Sequence, residues 1–141
     1  MHQKAAQLGA RANTSDEKDW GQSQGIRVIE IEEFHQLGLA AVIAEAKAIA
    51  GSGPTYLSFD VDALDPVYAP GTGTPEIGGL TTIEAQRLIR GLRGVDFIGA
   101  DVVEVSPPFD LSGMTALVGV SIMFEILCLL AERVALRRNG S

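Results

Sequence analysis

Lysine is scarce in this chain and confined to Lys4, Lys18 and Lys47. With a formal net charge of -7, nothing in it can neutralise a run of phosphates, so a nucleic-acid partner is excluded. Cysteine occurs once, as Cys128. An internal disulfide is therefore impossible, and the lone thiol fits a reducing, cytoplasmic compartment. Because Cys128 lies in an apolar stretch, it is expected to be a buried structural thiol. Histidine occurs only as His2 and His35, and neither sits in a metal-motif context. His35 is expected to be an ordinary surface or half-buried side chain and His2 a loose terminal residue. No apolar h-region opens the chain within Met1–Arg11, so no signal peptide is expected. The longest apolar run, Met114–Ala131, is interrupted by Glu125. It is expected to be a helix buried in a soluble core, with no membrane partner. Internal repeats and low-complexity segments are absent.

What is present is the composition of an ordinary globular domain: 141 residues, 46% hydrophobic and 21% charged, enough for one core. Strand-like and helix-like segments alternate. Short strands are expected at Gln7–Arg11, at the β-branched Ile26–Ile31, at Thr55–Phe59 and at Val95–Val105. Asn13–Gln24, with its charge cluster Asp16–Asp19, reads as a loop or short helix, and Trp20 within it as a packing or subunit-contact residue. Glu32–Ala50 has helical spacing and is stopped by Gly51-Ser52-Gly53-Pro54. Thr81–Arg93 is expected to be a helix with Thr81 or Thr82 as its N-cap and Glu84 in its first turn. Gly113–Arg138 is the final helix, its arginines Arg133, Arg137 and Arg138 suited to the negative end of the dipole. Strands alternating with helices predict an α/β fold, three-layer α/β/α, with a mainly parallel sheet. Thr55–Phe59, mostly apolar, is expected to be buried on both faces.

Asp60–Gly79 breaks the rhythm. An irregular loop of roughly 20 residues exceeds the usual ~12–15, and such loops tend to carry function. It follows a strand end, where ligands bind in open α/β sheets. In the run Ser58-Phe59-Asp60-Val61-Asp62-Ala63-Leu64-Asp65-Pro66, Asp60 and Asp62 would project side by side from an extended chain. Two confined carboxylates need a compensating positive charge, and no basic residue lies nearby in sequence. A hard divalent cation would serve, as would simple solvation of two loop acids. Pro66, Pro70, Gly71, Gly73, Pro75, Gly78 and Gly79 then set an irregular but stiff path. A phosphate cradle in Gly71–Gly79 is excluded by the missing Gly-Lys-Ser/Thr ending.

These residues carry a resemblance. Ser58–Asp65 with Pro66, Pro70-Gly71 and Gly79 is similar to the C-terminal signature of the ureohydrolases, the arginase/agmatinase family. The likeness continues through Gly71-Thr72-Gly73-Thr74-Pro75-Glu76, Gly79-Leu80-Thr81, Asp101–Pro108 and Gly113. Gln7-Leu8-Gly9-Ala10-Arg11 resembles the family strand written Gln-Ile-Gly-Ile-Arg. The resemblance implies an arginase-like fold and cleavage of a guanidino group to urea and an amine at a site of two Mn²⁺ ions. It implies that Asp60 bridges the metals, that Asp62 ligates one of them, and that Glu104 pairs with the substrate guanidinium. A guanidinium offers a planar fork of donors to such a carboxylate. Thr74 would line the site. Glu76 and Ser106-Pro107-Pro108-Phe109-Asp110 tip the likeness towards agmatinase, with arginine or guanidinobutyrate as alternative substrates. A homo-oligomer, trimer or hexamer, is implied for the complete enzyme.

The chain departs from the family in one respect. The Gly-Gly-Asp-His-Ser and Asp-Ala-His-x-Asp motifs that supply the remaining ligands have no counterpart in it. Residues 1–141 are therefore expected to be the C-terminal part of a single ureohydrolase domain. Alternatives are a catalytically inactive binding or oligomerisation module, or one half of a split enzyme. Alone, the chain is expected to be inactive.

Overall fold

The computed structural model describes residues 4–11 and 14–139. His2 lies outside the described residues. The elements in chain order are β1 (Ala5–Ala10), α1 (Ser15–Ser23), β2 (Ile26–Glu30), α2 (Ile31–Leu37), α3 (Leu39–Ala50), β3 (Thr55–Asp60), α4 (Thr82–Gly91), β4 (Phe97–Val103) and α5 (Met114–Asn139). Each strand expected from the sequence is present within a residue or two. The polar stretch after β1 is a helix, because Thr14 and Glu17 close a reciprocal capping box on its first turn.

The helix expected over Glu32–Ala50 is two helices. Gly38 separates them with φ 80° and ψ 152°, a conformation open to glycine and strained for other residues. At α4 the N-cap is Thr81, whose hydroxyl accepts from the Glu84 amide at 3.2 Å while the Glu84 carboxylate accepts from the Thr81 amide at 2.8 Å. That box fixes the point where the long loop ends.

All strand pairing is parallel, β1 with β2 and β3 with β4, as two separate two-stranded sheets. Between the facing free edges of β1 and β3 lies a cavity of about 610 Å³, floored by Leu88 and Ile89 of α4 and by Leu92, which caps that helix. Ile29, Phe34, Val42, Val61, Leu64, Leu80 and Ile122 form the most buried part of the core. β3 is not covered on both faces as expected. Phe59 is buried, but Tyr56, on the opposite face, is 59% exposed, and Ile98 of β4 is 58% exposed at the shift in register.

Helix α5 packs on β4 and α4. Arg90 of α4 holds Glu125, with its Nε 2.9 Å from Oε2. Arg133 and Arg137 both bind Asp96, and Arg133, first, holds that carboxyl below its usual range. By length and composition the helix could cross a membrane, and only 28% of its apolar window is buried. The expectation of a core-buried helix is corrected accordingly. Leu117, Val120, Phe124 and Leu127 are exposed, and so is Cys128, which is not the buried thiol expected. The apolar run has more than one face, and the described elements cover one of them.

Candidate functional site

β3 ends at Asp60 because the chain turns there. Asp60 adopts φ -92° and ψ 124° and caps a short 3₁₀ turn over Val61–Ala63. Its Oδ1 accepts from the Asp62 amide at 2.9 Å. Asp60 and Asp62 thus do not project from one extended strand, as the sequence suggested. They are brought together by the first carboxylate capping the turn that carries the second. Across the loop, Thr74 Oγ1 donates to Asp62 Oδ2 at 3.0 Å, so Thr74 touches the acid pair directly.

Glu104 follows β4. Among the described residues it is the only non-glycine with positive φ, at 66°. A left-handed backbone at a side chain with a Cβ costs roughly 1–3 kcal/mol and points to a functional constraint. A Cβ placed on Gly73 would stand 4.0 Å from Glu104 Oε2, so the loop approaches Glu104 where it is thinnest. The chain ends of β3 and β4, paired through Asp60 and Val103, therefore bring Asp60, Asp62, Thr74 and Glu104 to one edge.

The electrostatics follow from this crowding. Burial pushes the Asp60 carboxyl up from 3.8 to about 6, the Asp62 amide bond opposes it, and the negative charges of Asp62 and Glu104 add to the rise. Half-buried carboxylates that repel one another are the donor set a hard divalent cation takes. Asp60 and Asp62 fit that role as part of a ligand set. They are not a whole one: among the described residues no three His, Cys, Asp or Glu side chains converge to hold a metal ion. His35, half exposed, faces Glu84 at 3.8 Å and takes no part.

Several residues that shape the site entered the sequence reading only as parts of motifs, with no role of their own. Asp65 accepts from the amides of Val67 at 3.0 Å and Gly78 at 2.8 Å, which hold its carboxyl below the usual range. It pins both ends of the loop. Asp110 accepts from the amides of Ala116 at 2.8 Å and Thr115 at 3.1 Å, capping α5. Thr115, fully buried, accepts from the Gly71 amide at 2.7 Å. Arg11 reaches the loop from β1, although no basic residue is close in sequence. Asx-type spacing marks Asp65 locally, but nothing local marks Arg11.

Fold and site together define a layered α/β protein with an acidic site at the carboxyl ends of parallel strands. The chain belongs to the arginase family, the ureohydrolases, whose profile matches residues 1–129. It is 60% identical over 134 residues to the guanidinopropionase of Pseudomonas aeruginosa, covering 94% of this chain and 42% of that protein. To the guanidinobutyrase of the same organism it is 50% identical over 129 residues, covering 90% of this chain and 40% of the relative. Among solved structures, a hypothetical agmatinase from Burkholderia thailandensis superposes with a TM-score of 0.84 at 41% identity, over 96% of this chain and 41% of that one. The chain thus spans about two fifths of the length of these relatives.

Proposed function

We propose that this chain carries part of the active site of a manganese-dependent hydrolase that cleaves a guanidino group to urea and an amine. The single observation that carries the reading is the convergence of Asp60, Asp62 and Thr74 with Glu104, the one non-glycine among the described residues held in a left-handed backbone. Asp60 and Asp62 would hold the metal, Asp60 as the bridging ligand, with Thr74 orienting Asp62 through its hydroxyl. When bound, two Mn²⁺ ions would supply Lewis acidity and lower the pKa of a shared water. Glu104 would accept the N–H fork of the substrate and set the guanidinium carbon against the metal site. The other metal ligands would come from residues outside these 141, which would make the chain the C-terminal part of one domain.

For the substrate tail, the 60% and 50% identities favour a guanidino acid, since those relatives are named for guanidinopropionate and guanidinobutyrate hydrolysis. Asp110, which the sequence counted towards agmatine, is accounted for by capping α5. Agmatine stays as a second reading because Glu76 lines the same cavity and its carboxylate would attract an ammonium tail and repel a carboxylate one. The test joins this chain behind the N-terminal part of the guanidinopropionase and measures urea release from guanidinopropionate, guanidinobutyrate and agmatine. Guanidinopropionate is expected to be the fastest. Preference for agmatine would select the second reading, and a folded fusion that releases no urea from any of the three would overturn both.

A further inference from the structure

Arg11 stands at the carboxyl end of β1, just after the bulge at which Gly9 takes φ 75° and the register with β2 slips. Its guanidinium reaches the far side of the cavity. Nη1 donates to Ala63 O at 2.9 Å. Nη2 donates to Asp62 O, to Glu76 O at 3.0 Å and, more weakly, to Leu64 O at 3.4 Å. All four acceptors are main-chain oxygens, and the Asp65 carboxylate, whose pKa the Arg11 charge helps to lower, is not among them. They belong to two separate stretches of the loop: one starts at Asp62, and the other lies just beyond Thr74.

A guanidinium is planar and carries its donors in a fixed fork. One such group bonded to both stretches sets the distance between them. The Thr74–Asp62 hydrogen bond spans the same two stretches. We infer that Arg11 is a positioning residue for the candidate metal site. By clamping the backbone on either side of the cavity mouth it fixes where the Asp62 and Thr74 side chains meet beside Asp60. This rests on the reading of Asp60 and Asp62 as metal ligands. A lysine in its place keeps the charge but is a point donor on a flexible stem, and it cannot hold two stretches in one geometry.

The test uses the full 141-residue chain, isotopically labelled, with Mn²⁺ alone as the probe. Paramagnetic broadening of amide signals localises even weak binding. Selective broadening is expected at Asp60, Asp62 and Thr74. In both Arg11→Lys and Arg11→Ala the Mn²⁺ concentration for half-broadening should rise about tenfold or more, the usual cost of losing a group that orients a ligand. Asp60→Asn should abolish the effect. If broadening in the unaltered chain is unselective, or survives Asp60→Asn, the metal reading falls and this inference with it. If Asp60→Asn abolishes broadening while both Arg11 variants keep the original midpoint, the positioning role alone is wrong. A smaller folded population with an unchanged midpoint counts the same way, because a merely structural arginine would do that. Should Arg11→Ala fail to fold, the midpoint of Arg11→Lys decides.

Discussion

Glu104 holds an uncommon backbone conformation with a charged side chain attached, and the two properties can be separated. Glu104→Gly removes the clash of Cβ with the left-handed backbone and should stabilise the chain by roughly 1 kcal/mol, measured by urea denaturation. Glu104→Gln keeps the clash and removes a charge that repels Asp60, so without divalent cations stability should rise only slightly. In the complete enzyme it should weaken guanidinium recognition by roughly 2–5 kcal/mol, read as kcat/KM, with metal content unchanged. Equal stability of the Gly and Glu forms would remove the strain argument for a functional constraint. Asp60 behaves differently. Its folded-state pKa of about 6 lies above the ordinary 3.8, with burial as the main cause. The folded chain therefore holds that proton more tightly than the unfolded one. The resulting stability is full below 3.8 and is lost as pH rises through about 6. Without divalent cations, Asp60→Asn should melt higher than the unaltered chain above that midpoint, and the difference should vanish in acid. Thermal melts on both sides of the midpoint check it. Asp60, Asp62, Thr74 and Glu104 were legible in the sequence because the signature around them is local. The left-handed backbone at Glu104 and the capping bond between the two aspartates were not, since both depend on how the turn closes.

At the level of elements, the loop between β3 and α4 is shaped by tight backbone contacts as well as by its prolines. A Cβ added to Gly71 would lie 2.7 Å from the Asp110 Cα, and one on Gly79 would lie 2.5 Å from the Asp65 amide nitrogen. Both obstacles are backbone and cannot rotate away. Gly71→Ala should therefore destabilise the chain by about 1–3 kcal/mol through overpacking. Asp110→Ala should cost about 0.5–2 kcal/mol as the loss of a helix cap. Gly71 and Asp110 touch, so the double variant should fall short of the sum of the singles. Chemical denaturation of the four proteins measures this, and strict additivity would show that the contact is unimportant. Helix and strand positions were readable from periodicity and from the Gly51–Pro54 stop. The break at Gly38 was not, because an isolated glycine inside an apolar helical pattern can be tolerated. Likewise the exposed faces of β3 and α5 have the same composition as buried ones. Coverage is a property of neighbours, not of the strand or helix itself.

For the molecule as a whole, the chain expressed alone should release no urea from any guanidino compound. The two Mn²⁺ ions proposed above, about 3.5–4 Å apart, would bring four positive charges into one place, and Asp60 and Asp62 return only two negative ones. Urea release and metal content with excess Mn²⁺ check this, and robust turnover with two tightly held ions would refute the ligand accounting. The open edges of β1 and β3, the bare Tyr56 and Ile98, and the apolar face of α5 should also make the chain associate, which light scattering would register. The Arg11 clamp has a kinetic consequence. Its bonds join residues separated by 51 to 65 positions, so they can form only after a loop of that length has closed. Contacts of such separation are expected to form late and to be weak in the transition state. Arg11→Ala should therefore leave the refolding rate nearly unchanged and put its whole effect into faster unfolding. In a chevron plot the unfolding limb alone would rise, and the clamp would act as a latch on the finished fold.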